Sequence, residues 1–122
     1  VAWLKIDQSL LTHRKTMMLA ESLDIHEMQA VGHLVALWAW ALDNAPSGEL
    51  PETDRIIARA AQWDGAPSHF TGALADAGFV DDDYDGHRRI HDWHEFAGRL
   101  IALREGNKAR QQKWRKNQAR NS

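Results

Sequence analysis

The sequence predicts a mainly α-helical domain with a small β-hairpin, and three observations carry that reading. Apolar residues recur at helical spacing through much of residues 10–104. Two breaks, "APSG" and "DGAP", cut that pattern into helices joined by short connections. The stretch "GFVDDDYDGHRRI" sets two short runs on either side of an acidic, glycine-containing loop, which is hairpin composition.

The chain has 122 residues, enough for one compact domain plus a tail and too few for two domains. A hydrophobic share of 43% places it among globular chains, and six tryptophans can fill much of a core this small. The lack of cysteine excludes a disulfide framework, a thiolate metal site and a thiol nucleophile, and suits a reducing, cytoplasmic setting. The longest apolar run, "LVALWAWAL", has nine residues, far short of a membrane span. No signal peptide is visible, and no membrane partner is expected.

The elements follow in order. "VAWLKID" alternates as a short strand, with Trp3, Lys5 and Asp7 on one side and Leu4 and Ile6 on the other. "LLTHRKTMMLAESL" reads as a helix centred on Met17, Met18 and Leu19. Asp24 and Glu27 form a capping-box-like pair, so the next helix is expected from Ile25. Its stripe is Met28, Val31, Val35, Trp38 and Leu42, but Leu34, Leu37 and Trp40 make it apolar almost all round, as in a central helix. Glu49-Leu50 could be a very short strand. Thr53 or Asp54 caps "DRIIARAAQW", with Ile56, Ile57, Ala60 and Trp63 inward. Pro67 and Ser68 open a helix whose stripe is Phe70, Ala73, Leu74 and Ala77, ended by Gly78. After the hairpin, Asp92 and Glu95 form a second capping pair and launch "WHEFAGRLIALRE", striped by Phe96, Leu100 and Leu103.

Helix, very short strand, helix, turn, helix, hairpin is the order of a winged helix, an elaborated helix-turn-helix. The expected architecture is therefore a winged helix over residues 1–104, with an N-terminal strand-helix extension and a C-terminal helix. Residues 105–122, "EGNKARQQKWRKNQARNS", have no apolar stripe and form a basic tail, flexible or folding on binding.

Charge divides the chain close to that boundary. Residues 1–98 hold seven Lys/Arg against sixteen Asp/Glu, a net −9. Residues 99–122 hold eight Lys/Arg and only Glu105, a net +7. A polyanion is the natural partner of such a tail. Its candidate DNA contacts are Arg104, Lys108, Arg110, Lys113, Arg115, Lys116 and Arg120, with Trp114 placed to stack on a base. The bland alternative is attraction between tail and body.

The helix before the hairpin would be the recognition helix. Its outer side offers Ser68, His69, Thr71, Gly72 and Asp76, with no Lys or Arg. Base reading relies above all on Arg and Lys, so this helix is a weak second candidate. Asp81, Asp82, Asp83 and Asp85 would repel phosphate and read as a solvated turn; as cation ligands they form an incomplete ring. Arg88 and Arg89 are expected to pair with that acidic run across the hairpin. His87, His91, Asp92 and His94 cluster in sequence, but no one element directs them to a common point, so no metal site is assigned. His33 reads as a hydrogen-bonded core histidine. No phosphate loop, nucleophile elbow or Cys/His pairing appears, so neither an enzyme nor a cofactor is expected.

The stretch from Leu34 to Leu100 resembles the N-terminal winged-helix domains of phage replisome-organiser and DnaD-like replication proteins. The resemblance rests on Leu37-Trp38, Gly48-Glu49-Leu50, Ala61-Gln62-Trp63 with Gly65, Ala73-Leu74 to Gly78-Phe79, and Ile90-His91-Asp92-Trp93 with Phe96. It covers roughly residues 3–104 and implies a non-catalytic module of replication initiation that binds DNA, self-associates and meets other replication proteins. Two alternatives stay open: a protein-interaction or oligomerisation domain without direct DNA binding, and a winged-helix transcription regulator.

Overall fold

The computed structural model describes residues 6–82, 87–94 and 110–117. It is mainly helical with one two-stranded antiparallel hairpin, as expected. The proposed N-terminal strand lies largely outside the described residues, and Ile6 and Asp7 belong to no strand.

A short 3-10 turn, Leu10–Thr12, stands where an α-helix was expected to start. His13 follows in extended conformation, and its Nδ1 accepts the Lys15 N–H at 3.1 Å. That bond caps α1, Arg14–Leu23, by satisfying one of the orphan donors of a helix start. α1 buries Thr16, Leu19, Ala20 and Leu23 at helical spacing, whereas Met17 and Met18 are 52% and 43% exposed. Asp24 closes α1 in the left-handed region at φ 54° instead of opening the next helix. Asp tolerates that conformation because its short side chain bonds locally. His26 caps in its place, its Nδ1 accepting the Met28 N–H at 3.1 Å, and α2 runs Glu27–Asn44.

α2 is turned relative to expectation. It buries Ala30, His33, Leu34, Leu37, Ala41 and Leu42, while Met28 is 68% exposed. Val31, Val35 and Trp38 flank the core half-buried. A helix apolar on most sides gives little phase information, and packing favours the side whose alanines permit close approach. His33 is buried in the core as expected. Its Nδ1 lies 2.7 Å from the Ala61 carbonyl and its Nε2 lies 3.2 Å from the Gln29 amide nitrogen. A carbonyl only accepts, so Nδ1 carries the proton and Nε2 accepts from Gln29. The ring meets Trp63 and Phe70 edge-on, and those two rings stack at 5.5 Å.

Thr53 caps α3, Asp54–Ala60, its hydroxyl accepting the Ile56 N–H. This helix ends earlier than "DRIIARAAQW" suggested, because Gln62 turns left-handed at φ 61°. Ile57 and Ala58 point inward, and Ile56 is 47% exposed. α4, Pro67–Ala77, matches the expected stripe of Phe70, Ala73, Leu74 and Ala77, and Gly78 ends it at φ 87°. The Lys15 ammonium donates to the Gly78 carbonyl at 3.3 Å, placing a cation at the negative end of α4 and joining α1 to it.

β1, Val80–Asp82, pairs antiparallel with β2, Arg88–Ile90, in the register Val80↔Ile90 and Asp82↔Arg88. Val80 and Ile90 turn into the core. On its other edge β2 bridges Glu49, with the Leu50 N–H donating to the Arg88 carbonyl and the Ile90 N–H to the Gly48 carbonyl, both at 2.8 Å. The expected very short strand is thus one bridge, and β2 lies between it and β1. Trp93, 2% exposed, packs over Gly48 and donates Nε1–H to the Pro46 carbonyl at 2.8 Å. Trp93 and His94 are helical where "WHEFAGRLIALRE" was expected to begin a helix, and the rest of that segment falls outside the described residues. Asp92 has φ 55°, not the extended backbone of an N-cap.

Candidate nucleic-acid interface

Two surfaces were expected to meet nucleic acid: the outer side of α4 and the basic tail. On α4, Ser68, His69, Gly72 and Asp76 are exposed, and a side chain built at Gly72 would meet nothing within 4 Å. Thr71 departs from expectation. It is 8% exposed, and its hydroxyl faces the Pro67 and Ser68 carbonyls at 3.4 and 3.3 Å. A groove-reading side chain must reach outward, so Thr71 acts within the fold. The exposed side of α4 therefore offers one hydroxyl, one imidazole and one carboxylate.

The hairpin carries its cations elsewhere than expected. Among the described residues Arg88 pairs with Asp54 and not with Asp81 or Asp82. Its Nη1 bonds the Asp54 carboxylate at the start of α3, and its Nη2 donates to the Glu52 carbonyl at 2.7 Å. Arg89 faces Glu49 across the bridge at 3.8 Å. Asp81 instead meets His91, whose Nδ1 lies 3.0 Å from the carboxylate, while Nε2 lies 3.3 Å from Asp92. Asp83 and Asp85 lie outside the described residues. Both hairpin arginines are thus held against carboxylates of the domain. Among the described residues no group of three His, Cys, Asp or Glu could hold a metal.

The Arg88 bond is the chief reason that the Asp54 carboxyl sits below its ordinary range; burial opposes it, and the Thr71 hydroxyl and the Arg88 charge add to it. A carboxylate held low in the folded state contributes stability above its unfolded pKa, and that contribution is lost as pH falls through the folded value. Asp54→Asn should therefore be less stable than the parent at neutral pH. The gap should begin to narrow below about pH 4, where the unfolded carboxylate takes up a proton, and close as pH falls through the lower folded value. Urea unfolding of both proteins at pH 7 and pH 3 measures this, and an equal gap at both values would show that the Arg88 bond contributes nothing.

Of the tail, residues 110–117 are described and form a helix exposed at every position. Arg, Gln and Lys are strong helix formers, which accounts for a helix without an apolar stripe. Arg110, Lys113 and Trp114 lie at i, i+3 and i+4 on one face, with Arg115 and Lys116 on either flank. Trp114 is 61% exposed, unlike Trp93 in the core. Arg104, Lys108 and Arg120 lie outside the described residues. Among the described residues no helix is long and apolar enough to cross a membrane. The chain matches no protein-family model, no curated protein and no solved structure.

Proposed function

We propose that this chain is a non-catalytic DNA-binding or assembly module of phage-type replication initiation, acting in the cytoplasm. In this reading the basic tail supplies the affinity and the winged-helix body supplies orientation and assembly. The supporting observation is the exposed 110–117 helix, which presents Arg110, Lys113, Arg115 and Lys116 around an exposed indole. Phosphate contacts dominate nucleic-acid affinity, and an aromatic ring amid cations adds sequence-tolerant stacking. The link to replication rests on the resemblance to replisome-organiser and DnaD-like domains.

Fluorescence anisotropy with duplex DNA at several salt concentrations tests the reading. Four cations on phosphates give a slope of log K against log salt of roughly −3 to −4. A flat salt dependence would refute the tail as the electrostatic contact. One observation favours a second reading, a protein-interaction domain without DNA contact: the exposed side of α4 carries Asp76 and no Lys or Arg. Undetectable binding to both duplex and single strand at low salt would select that reading.

A further inference from the structure

A groove lies between the 3-10 turn, α2 and the hairpin, with a volume of about 400 Å³. That is within the roughly 300–1,000 Å³ typical of ligand pockets. Its apolar walls are Leu10, Trp38, Phe79 and Ile90. The rings of Trp38 and Phe79 are 6.4 Å apart and tilted by 57°, so they present faces and edges at once. A further aromatic ring can meet such a pair in offset or edge-on contact. The rim carries Asp7 and Asp92, both exposed. The one ammonium of the lining, Lys15, donates to the Gly78 carbonyl. Ser9, His13 and His91 complete the polar lining, with His13 capping α1 and His91 set between Asp81 and Asp92.

We propose that this groove is a self-association site that takes the Trp114 face of the 110–117 helix from a second copy of the chain. An aromatic groove with a carboxylate rim suits an indole flanked by cations, and Arg110 and Lys113 share the Trp114 face. The whole molecule repeats that complementarity, with residues 1–98 of net −9 against residues 99–122 of net +7. The helix is exposed at every position, so it is not seated on the body of its own chain. Trp and Arg dominate the energetics of interfaces where they fill a desolvated pocket. Reciprocal exchange of tails between two copies closes a symmetric dimer, whereas one-way docking grows longer assemblies. Neither outcome depends on whether the tail also binds DNA.

Sedimentation of the full chain without nucleic acid, over a range of concentrations and at low and high salt, tests the proposal. The mass should rise with concentration at low salt and fall back at high salt. Trp114→Ala should weaken the association at least about tenfold, with Trp114→Phe in between, since stacking survives in part. Asp7→Lys, at an exposed rim position, should weaken it independently of any change in the tail. A chain that stays monomeric at every concentration would overturn the proposal, as would association untouched by Trp114→Ala. If self-association behaves as expected but DNA binding fails, only the reading under Proposed function falls.

Discussion

Trp93→Ala should destabilise the domain by about 3–5 kcal/mol, the usual range for truncating a buried aromatic residue. Trp93 is 2% exposed and links three parts of the chain at once. It follows the hairpin directly, its ring covers Gly48, and its indole N–H reaches the Pro46 carbonyl at 2.8 Å. Truncation leaves a void over Gly48, next to the bridge at Glu49, and strands the Pro46 carbonyl without its indole donor. The opposite face of the same contact gives a control. A Cβ on Gly48 would sit 2.6 Å from the Trp93 ring, at φ 82°, where side chains are strained. Gly48→Ala should therefore also destabilise, and less so in the Trp93→Ala background, because the clash is gone and only the backbone strain remains. Urea unfolding of the two single variants and the double variant measures the coupling. Strict additivity would mean that the ring and the glycine do not act as one unit.

What could be read in the sequence was what is local. The α4 stripe and its Gly78 end depend on residues within three turns of one another, and both were expected where they lie. Thr53 follows the ordinary capping repertoire and caps α3. The starts of α1 and α2 do not: His13 and His26 cap through ring nitrogens, while Asp24, the more familiar capping residue, closes a helix. The phase of α2 was hidden because its apolar residues nearly encircle it, leaving close packing to choose Ala30, Leu34, Leu37 and Ala41 as the inner face. The partner of Arg88 was also hidden. Asp81 and Asp82 lie on the facing strand of the hairpin, yet Asp54 lies 34 positions away and is brought close only when α3 docks. The tail divides the same way. Its charge is visible in composition, but the helix at 110–117 and the shared face of Arg110, Lys113 and Trp114 are not.

Removing residues 105–122 should abolish DNA binding at low salt, a loss of at least about 100-fold. Non-specific duplex binding, roughly 10⁻⁴–10⁻⁶ M, is essentially all phosphate electrostatics. The deleted segment carries six of the fifteen Lys/Arg in the chain and one acidic residue, Glu105. What remains holds sixteen Asp/Glu, and its hairpin arginines are already turned to Asp54 and Glu49. Such a surface repels a polyanion over about a Debye length, roughly 10 Å at 0.1 M salt. The full chain must therefore place its tail ahead of its body, which an exposed helix beyond the domain allows. Trp114→Ala separates the two parts of the tail's contribution. It leaves every charge in place, so duplex affinity and its salt slope should hardly change. Single-strand affinity should fall by roughly 5- to 150-fold, the range that corresponds to 1–3 kcal/mol per stacked base. Ser68→Ala with His69→Ala is the matched test on α4, and unchanged anisotropy there would leave the tail as the source of affinity. If the truncated chain instead binds as tightly as the parent, the contact lies on the acidic body, and the division of labour between body and tail is wrong.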